Sequence, residues 1–137
     1  MKKMNIPEFI DTIYLGDRGC KSLLLDGWNA EIKIQATCIS RVRGGVWNYY
    51  TEEDLPDGYL VFMGVNSVSF DPVGRIPNDL INEIKAERIV DAQGSYLCIL
   101  SIDSVDADGN RTEVIVKIVA DSLCLEDSRN PGVRIVD

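Results

Sequence analysis

No histidine occurs among the 137 residues. That absence removes Ser-His-Asp and Cys-His nucleophile systems, imidazole acid–base chemistry and every His-ligated metal. An enzyme built on this chain would have to work with carboxylates, Lys, Tyr, Cys or Arg alone. Long apolar runs are missing as well, since no stretch of about 18 apolar residues is present and no membrane span is expected. Met1-Lys2-Lys3 has the charge of a signal-peptide start, but Pro7, Glu8 and Asp11 interrupt the apolar stretch that would have to follow. The expected location is the cytoplasm. The four cysteines, Cys20, Cys38, Cys98 and Cys124, include no C-x-x-C pair, which excludes zinc ribbons and dithiol redox motifs. Each falls in an apolar, strand-like run where a free thiol acts as a small hydrophobe. No metal and no cofactor are expected. Basic residues are few beside acidic ones, 14 against 22, for a net charge of −8. A field of that sign repels phosphate backbones, so nucleic acid is not an expected partner, and it draws in a basic protein.

What is present suits one globular domain over residues 1–137, long enough to build a core without staples. Ile6, Phe9, Ile10, Ile13 and Tyr14 form a helical stripe after Pro7 and before Gly16, which predicts a short helix from Ile6 to Leu15. Cys20–Asp26 and Glu31–Cys38 read as a hairpin, the second arm alternating with Ile32, Ile34, Ala36 and Cys38 on one side. Residues 43–58 read as a long loop, and Tyr59–Phe70 as a strand interrupted at Gly64, where a bulge would be natural. Leu80, Ile81 and Ile84 after Pro77 predict a second helix from Asn78 to about Glu87. Tyr96–Ile102 is apolar on both faces, as a central strand would be, and turns at 106–110 into Val114–Ala120. Val133–Val136 is a candidate edge strand. The expected fold class is therefore α+β: a largely antiparallel sheet of about five to six strands with two short helices, in the order α-β-β-β-α-β-β. Lys33-Ile34-Gln35-Ala36 also lines up with Lys117-Ile118-Val119-Ala120, with Ile39 then matching Leu123.

Three stretches invite a chemical reading. Asp106, Asp108 and Gly109 imitate positions 3, 5 and 6 of a calcium loop, but position 12 is Ile115 and the flanks are strands. A hairpin turn accounts for them. The stretch 40–54 gathers Arg41, Arg43, Trp47, Tyr49, Tyr50, Glu52, Glu53 and Asp54, with three of the chain's ten aromatics. Tyr, Trp and Arg are the side chains that most often anchor protein interfaces, and flanking acids raise the rate of encounter with a basic partner. The competing reading is structural: Trp47 and Tyr50 pin a loop to the core, and the arginines pair with nearby acids. Asp17 and Arg18, with Trp28 soon after, form a secondary polar cluster.

Tyr14-Leu15-Gly16-Asp17-Arg18, Ile39-Ser40-Arg41, Trp47-Asn48-Tyr49-Tyr50, Gly58–Phe62 and Ile76–Ile81 resemble a family of small, uncharacterised bacterial proteins. The resemblance covers most of residues 9–84. The family carries no assigned activity and looks like the single-domain immunity partners of bacterial toxins, so no catalytic residue carries over. The resulting expectation is a non-enzymatic, immunity-like module that binds a basic protein through the 40–54 stretch. A small-molecule or carbohydrate module with Trp28, Trp47 and Tyr50 lining a cleft is the alternative. A histidine-free hydrolase using Asp17 and Asp26 is a remote one, and exposed strand edges leave a homodimer open.

Overall fold

The computed structural model describes residues 4–44, 53–90 and 94–137. Among them are one helix, α1 (Ile6–Ile10), and twelve strands. The strands are β1 (Ile13–Tyr14), β2 (Cys20–Asp26), β3 (Glu31–Ala36), β4 (Cys38–Arg41), β5 (Leu55–Pro56) and β6 (Tyr59–Met63). They continue as β7 (Ser67–Asp71), β8 (Ile81–Arg88), β9 (Tyr96–Val105), β10 (Arg111–Ala120), β11 (Ser122–Glu126) and β12 (Arg134–Ile135). Three antiparallel sheets result, in the orders β1-β4-β5, β7-β10-β9-β8 and β12-β11-β6-β3-β2. The expectation of an α+β fold with two helices and five to six strands is thereby overturned: the fold is nearly all β. No helix among the described residues is long and apolar enough to cross a membrane.

The first helix reading holds for a single turn and the second fails, each for an identifiable reason. At α1, Asn5 and Glu8 form a capping box that starts the helix as Pro7 suggests. The helix then stops after one turn, with Asp11 as its cap and the Thr12 hydroxyl donating to the Phe9 carbonyl. Ile13 and Tyr14, which prolong the apolar period, pair instead with Arg41 and Ser40. The second predicted helix is β8. Its ladder with β9 skips a residue between Ile81 and Glu83, and this bulge turns Ile81 and Ile84 toward the same core. A strand carrying a bulge thus shows the i, i+3 spacing of a helix.

Two bent antiparallel strand pairs join the sheets. β6 and β11 pair in the five-stranded sheet, then both chains turn and pair as β7 and β10 in the four-stranded one. Gly64 and Asp121 mark that corner, so Tyr59–Phe70 is two strands in two sheets rather than one bulged strand. Gly64 has φ +64, and a Cβ there would stand 2.4 Å from Asp121 Oδ2, which reserves the position for glycine. The second corner carries β3 and β6 into β4 and β5 at Thr37 and Asp57. The two aligned segments lie one at each corner: Ile34, Ala36 and Ile39 are buried around the exposed Thr37, as Ile118, Ala120 and Leu123 are around the exposed Asp121. Buried side chains from all three sheets and from α1 form one cluster. β9, as its apolar faces predict, is flanked by β8 and β10, and β12 pairs at the sheet edge as expected.

The outer face of the five-stranded sheet is closed by charge. Arg134 on β12 reaches back over β11 and β6, with Nε 2.8 Å from Glu126 Oε1 and Nη2 3.2 Å from Glu31 Oε1. Lys33 Nζ lies 3.1 Å from Glu126 Oε2. Beneath this lattice Val61 and Cys124 are fully buried although they face outward. Guanidinium and lysine stems shield apolar surface while their heads are neutralised.

Candidate functional site

β2 and β7 are the facing edges of the two larger sheets, and no hydrogen bond joins them. Leu23 and Leu25 lie opposite Ile34 and Ile32 on β3, while Val68 and Phe70 lie opposite Ile118 and Val116 on β10. Cross-strand partners share a face, so all four project toward the core with those buried residues. They are nonetheless incompletely covered: Leu23, Val68 and Phe70 are half-buried and Leu25 is 52% exposed. The seam is tied only at its ends. At one end Cys20 N–H donates to the Asp79 carbonyl (2.7 Å) and Ile81 N–H to Arg18 (2.9 Å); at the other Val65 N–H donates to Ala30 (2.9 Å).

Two cavities lie along it. One of ≈280 Å³ takes Leu25, Asp26, Ala30 and Ile32 on one wall and Val65 and Val68 on the other. The second, of ≈350 Å³, is lined by Lys21, Leu23, Phe70, Arg75, Ile76 and Pro77. β2 and β7 therefore run antiparallel across the seam, each presenting an edge of backbone N–H and C=O groups with no strand beside it among the described residues. Exposed Ile76 (74%) stands on its rim. A seam of this kind suits an extended chain, which adds hydrogen bonds to the edges and places alternate side chains in the apolar floor.

The predicted site residues distribute differently. Trp47, Tyr49, Tyr50 and Glu52 lie outside the described residues. On either side of that stretch in sequence, Arg43 and Glu53 form an exposed, two-pronged ion pair, with contacts of 2.6 and 3.2 Å. It holds the Glu53 carboxyl below, and the Arg43 guanidinium above, their ordinary range. Arg41 is buried, its Nη2 donating to the Thr12 hydroxyl (3.1 Å) and the Asp137 carbonyl (2.8 Å) under the Phe9 ring, and burial lowers its pKa. This arginine fastens the C-terminal residue to α1. Arg18 and Asp54, placed in separate clusters by sequence, meet at one buried hydroxyl: Arg18 Nη2 donates to Ser40 Oγ at 2.7 Å, and Ser40 Oγ to Asp54 Oδ2 at 3.3 Å. Asp17 sits in the preceding turn with φ 58. Trp28 does not join them; it is 96% exposed at the tip of the β2–β3 hairpin.

Carboxylate and thiol chemistry find little support. Asp17 sits in the turn before β2 and Asp26 ends it, and the strand between them is about 20 Å long, against at most about 9.5 Å for a hydrolytic pair. All four cysteines are free. Burial pushes the Cys98 thiol up to about 12 and Cys20 up to about 11, so neither offers a thiolate at neutral pH. Among the described residues no group of three or more Cys, Asp or Glu is placed to hold a metal ion. At 106–110, Asp106 Oδ1 accepts from the N–H groups of Asp108 and Asn110, which closes a turn.

Sequence reasoning overlooks the seam. Its one trace is Leu23-Leu24-Leu25, three leucines in a row on a strand expected to have a wet face. Comparison with curated proteins and with solved structures gives no match. A family model matches residues 4–137, and the chain belongs to that family, a family of unknown function (DUF6258).

Proposed function

We propose that this chain is a non-enzymatic protein-binding module that takes an extended segment of its partner into the seam between β2 and β7. The observation that carries this reading is the pair of facing strand edges with Leu23, Leu25, Val68 and Phe70 incompletely covered between them. Surface charge supports a basic partner. Lys21, Lys33, Arg43, Arg75, Arg111, Arg129 and Arg134 all sit in ion pairs within the chain. The chain carries 22 acidic residues against 14 basic ones, so an acidic excess of eight remains however the pairs form. Masking of a basic protein in a bacterial cytoplasm, as an immunity protein does, fits these features. Trp47, Tyr49 and Tyr50 on the stretch framed by Arg43 and Glu53 would supply a second contact.

A display selection of random dodecapeptides on the wild-type protein tests this. Enriched peptides are expected to alternate apolar and polar residues, and to bind at least thirtyfold more weakly to Leu25→Asp, with the melting temperature held within a few degrees. Leu25 is exposed enough for that change to spare the fold. Binders that ignore Leu25→Asp but are lost on Trp47→Ala with Tyr49→Ala would move the interface to the aromatic stretch and refute the seam.

A further inference from the structure

The two ends of the seam carry opposite charge, and the charged groups there are loosely engaged. At the larger cavity, Lys21 Nζ pairs with Asp57 at 2.7 Å, but both side chains are about half exposed (46% and 47%). Exposed pairs of this kind contribute little and exchange readily. Arg75 stands beside it with Nη2 buried and, among the described residues, without a hydrogen-bond partner. Its ion-pair partner Asp106 is 3.9 Å away, beyond hydrogen-bond length. A buried N–H without an acceptor is costly, and a planar guanidinium is well matched to a carboxylate. The rest of this cavity is lined by apolar Leu23, Phe70, Ile76 and Pro77 together with Gly74 and the polar Ser22 and Asn78. At the smaller cavity stands Asp26, with no Lys or Arg within ion-pair distance among the described residues. Asn29 holds it through its backbone N–H (3.1 Å) and side-chain amide (2.9 Å).

We propose that the seam reads the C-terminal end of its partner's extended segment, with the terminal carboxylate held by Lys21 and Arg75 and a basic side chain held near Asp26. This rests on the protein-binding reading above and adds direction and chemistry to it. β2 runs from Lys21 to Asp26, so a segment ending at Lys21 lies antiparallel to β2 and parallel to β7. The five residue steps from Lys21 to Asp26 span about 17 Å of strand, which places the basic residue about five positions before the terminus. Between them, alternate apolar side chains meet Leu23, Leu25, Val68 and Phe70. The carboxylate also supplies the acceptor that Arg75 Nη2 lacks.

The test uses two arrays of the same octapeptides, one with free C-terminal carboxylates and one amidated, probed with the full chain. Free-carboxylate peptides carrying Lys or Arg about five positions before the end are expected to bind, and to lose at least tenfold in affinity when amidated. A Lys21→Glu, Arg75→Glu double variant is expected to lose them while melting as the wild type does. Equal binding of free and amidated peptides would overturn the terminal anchor and leave the seam reading standing. Absence of any binder on either array would overturn both.

Discussion

Replacing Phe62 by alanine lowers the unfolding free energy by about 4 kcal/mol, read as a fall in urea midpoint at constant slope. Phe62 is fully buried on β6, opposite Ile32 on β3 and Leu123 on β11. β6 is the middle strand of the five-stranded sheet, and both bent strand pairs pass through it. The ring therefore fills the space where both corners converge, and rigid corners cannot collapse onto the void. A domain of this size holds about 5–15 kcal/mol in total, so the loss is a large part of its stability. Leu24→Ala, on an exposed outward position of β2, is the matched control and is expected to change stability by less than about 1 kcal/mol. A loss below about 1 kcal/mol at Phe62 would show that β6 is not at the centre of the core.

Arg134→Ala is expected to cost about 3 kcal/mol, because it removes one partner from a nearly buried charge group. Glu126 is only 4% exposed, and Arg134 is the cation that links it to Glu31. Lys33 alone then faces the remaining carboxylates. Arg134→Lys is not expected to restore the loss, since one ammonium cannot hold Glu126 through Nε and Glu31 through the Nη groups at once. A second readout separates this from a general loosening. Arg134 Nη1 lies 4.0 Å from Cys124 Sγ, so its removal opens Cys124 to thiol reagents while Cys98, deep in β9, stays protected. Unchanged stability together with an unreactive Cys124 would mean the lattice is not what covers that face.

The sequence is most legible where one strand has one environment. β3 alternates cleanly because one face meets the core, and Tyr96–Ile102 reads as central because β9 is covered on both faces and flanked by β8 and β10. Legibility fails where local period and tertiary role diverge. The bulge in β8 copies a helical spacing, and the stripe after α1 passes from one helical turn into β1 without a change in apolar rhythm. The corners hide as well: Gly64 suggests a bulge, whereas it is the point at which the chain changes sheets. The likeness between Lys33–Ala36 and Lys117–Ala120 is a real clue to those corners, legible only once Thr37 and Asp121 are seen in equivalent bends. At the candidate site the aromatic stretch draws attention because its residue types are conspicuous. The seam is made of ordinary leucine, valine and phenylalanine, whose exposure depends on which strands lie at the sheet edges. Strand order is a long-range property that periodicity does not carry.

Amide hydrogen exchange of the free protein, resolved residue by residue, tests the open seam most directly. Along β2 and β7, the N–H groups that point away from β3 and β10 have no acceptor across the seam and are expected to exchange rapidly, alternating with slow neighbours, while β9 and the centre of β10 exchange only on global unfolding. Addition of a selected seam-binding peptide should then slow that fast set on both strands. Uniform protection along β2 and β7 in the free protein would mean that the two edges already pair with each other or with another part of the chain, and the seam would not exist.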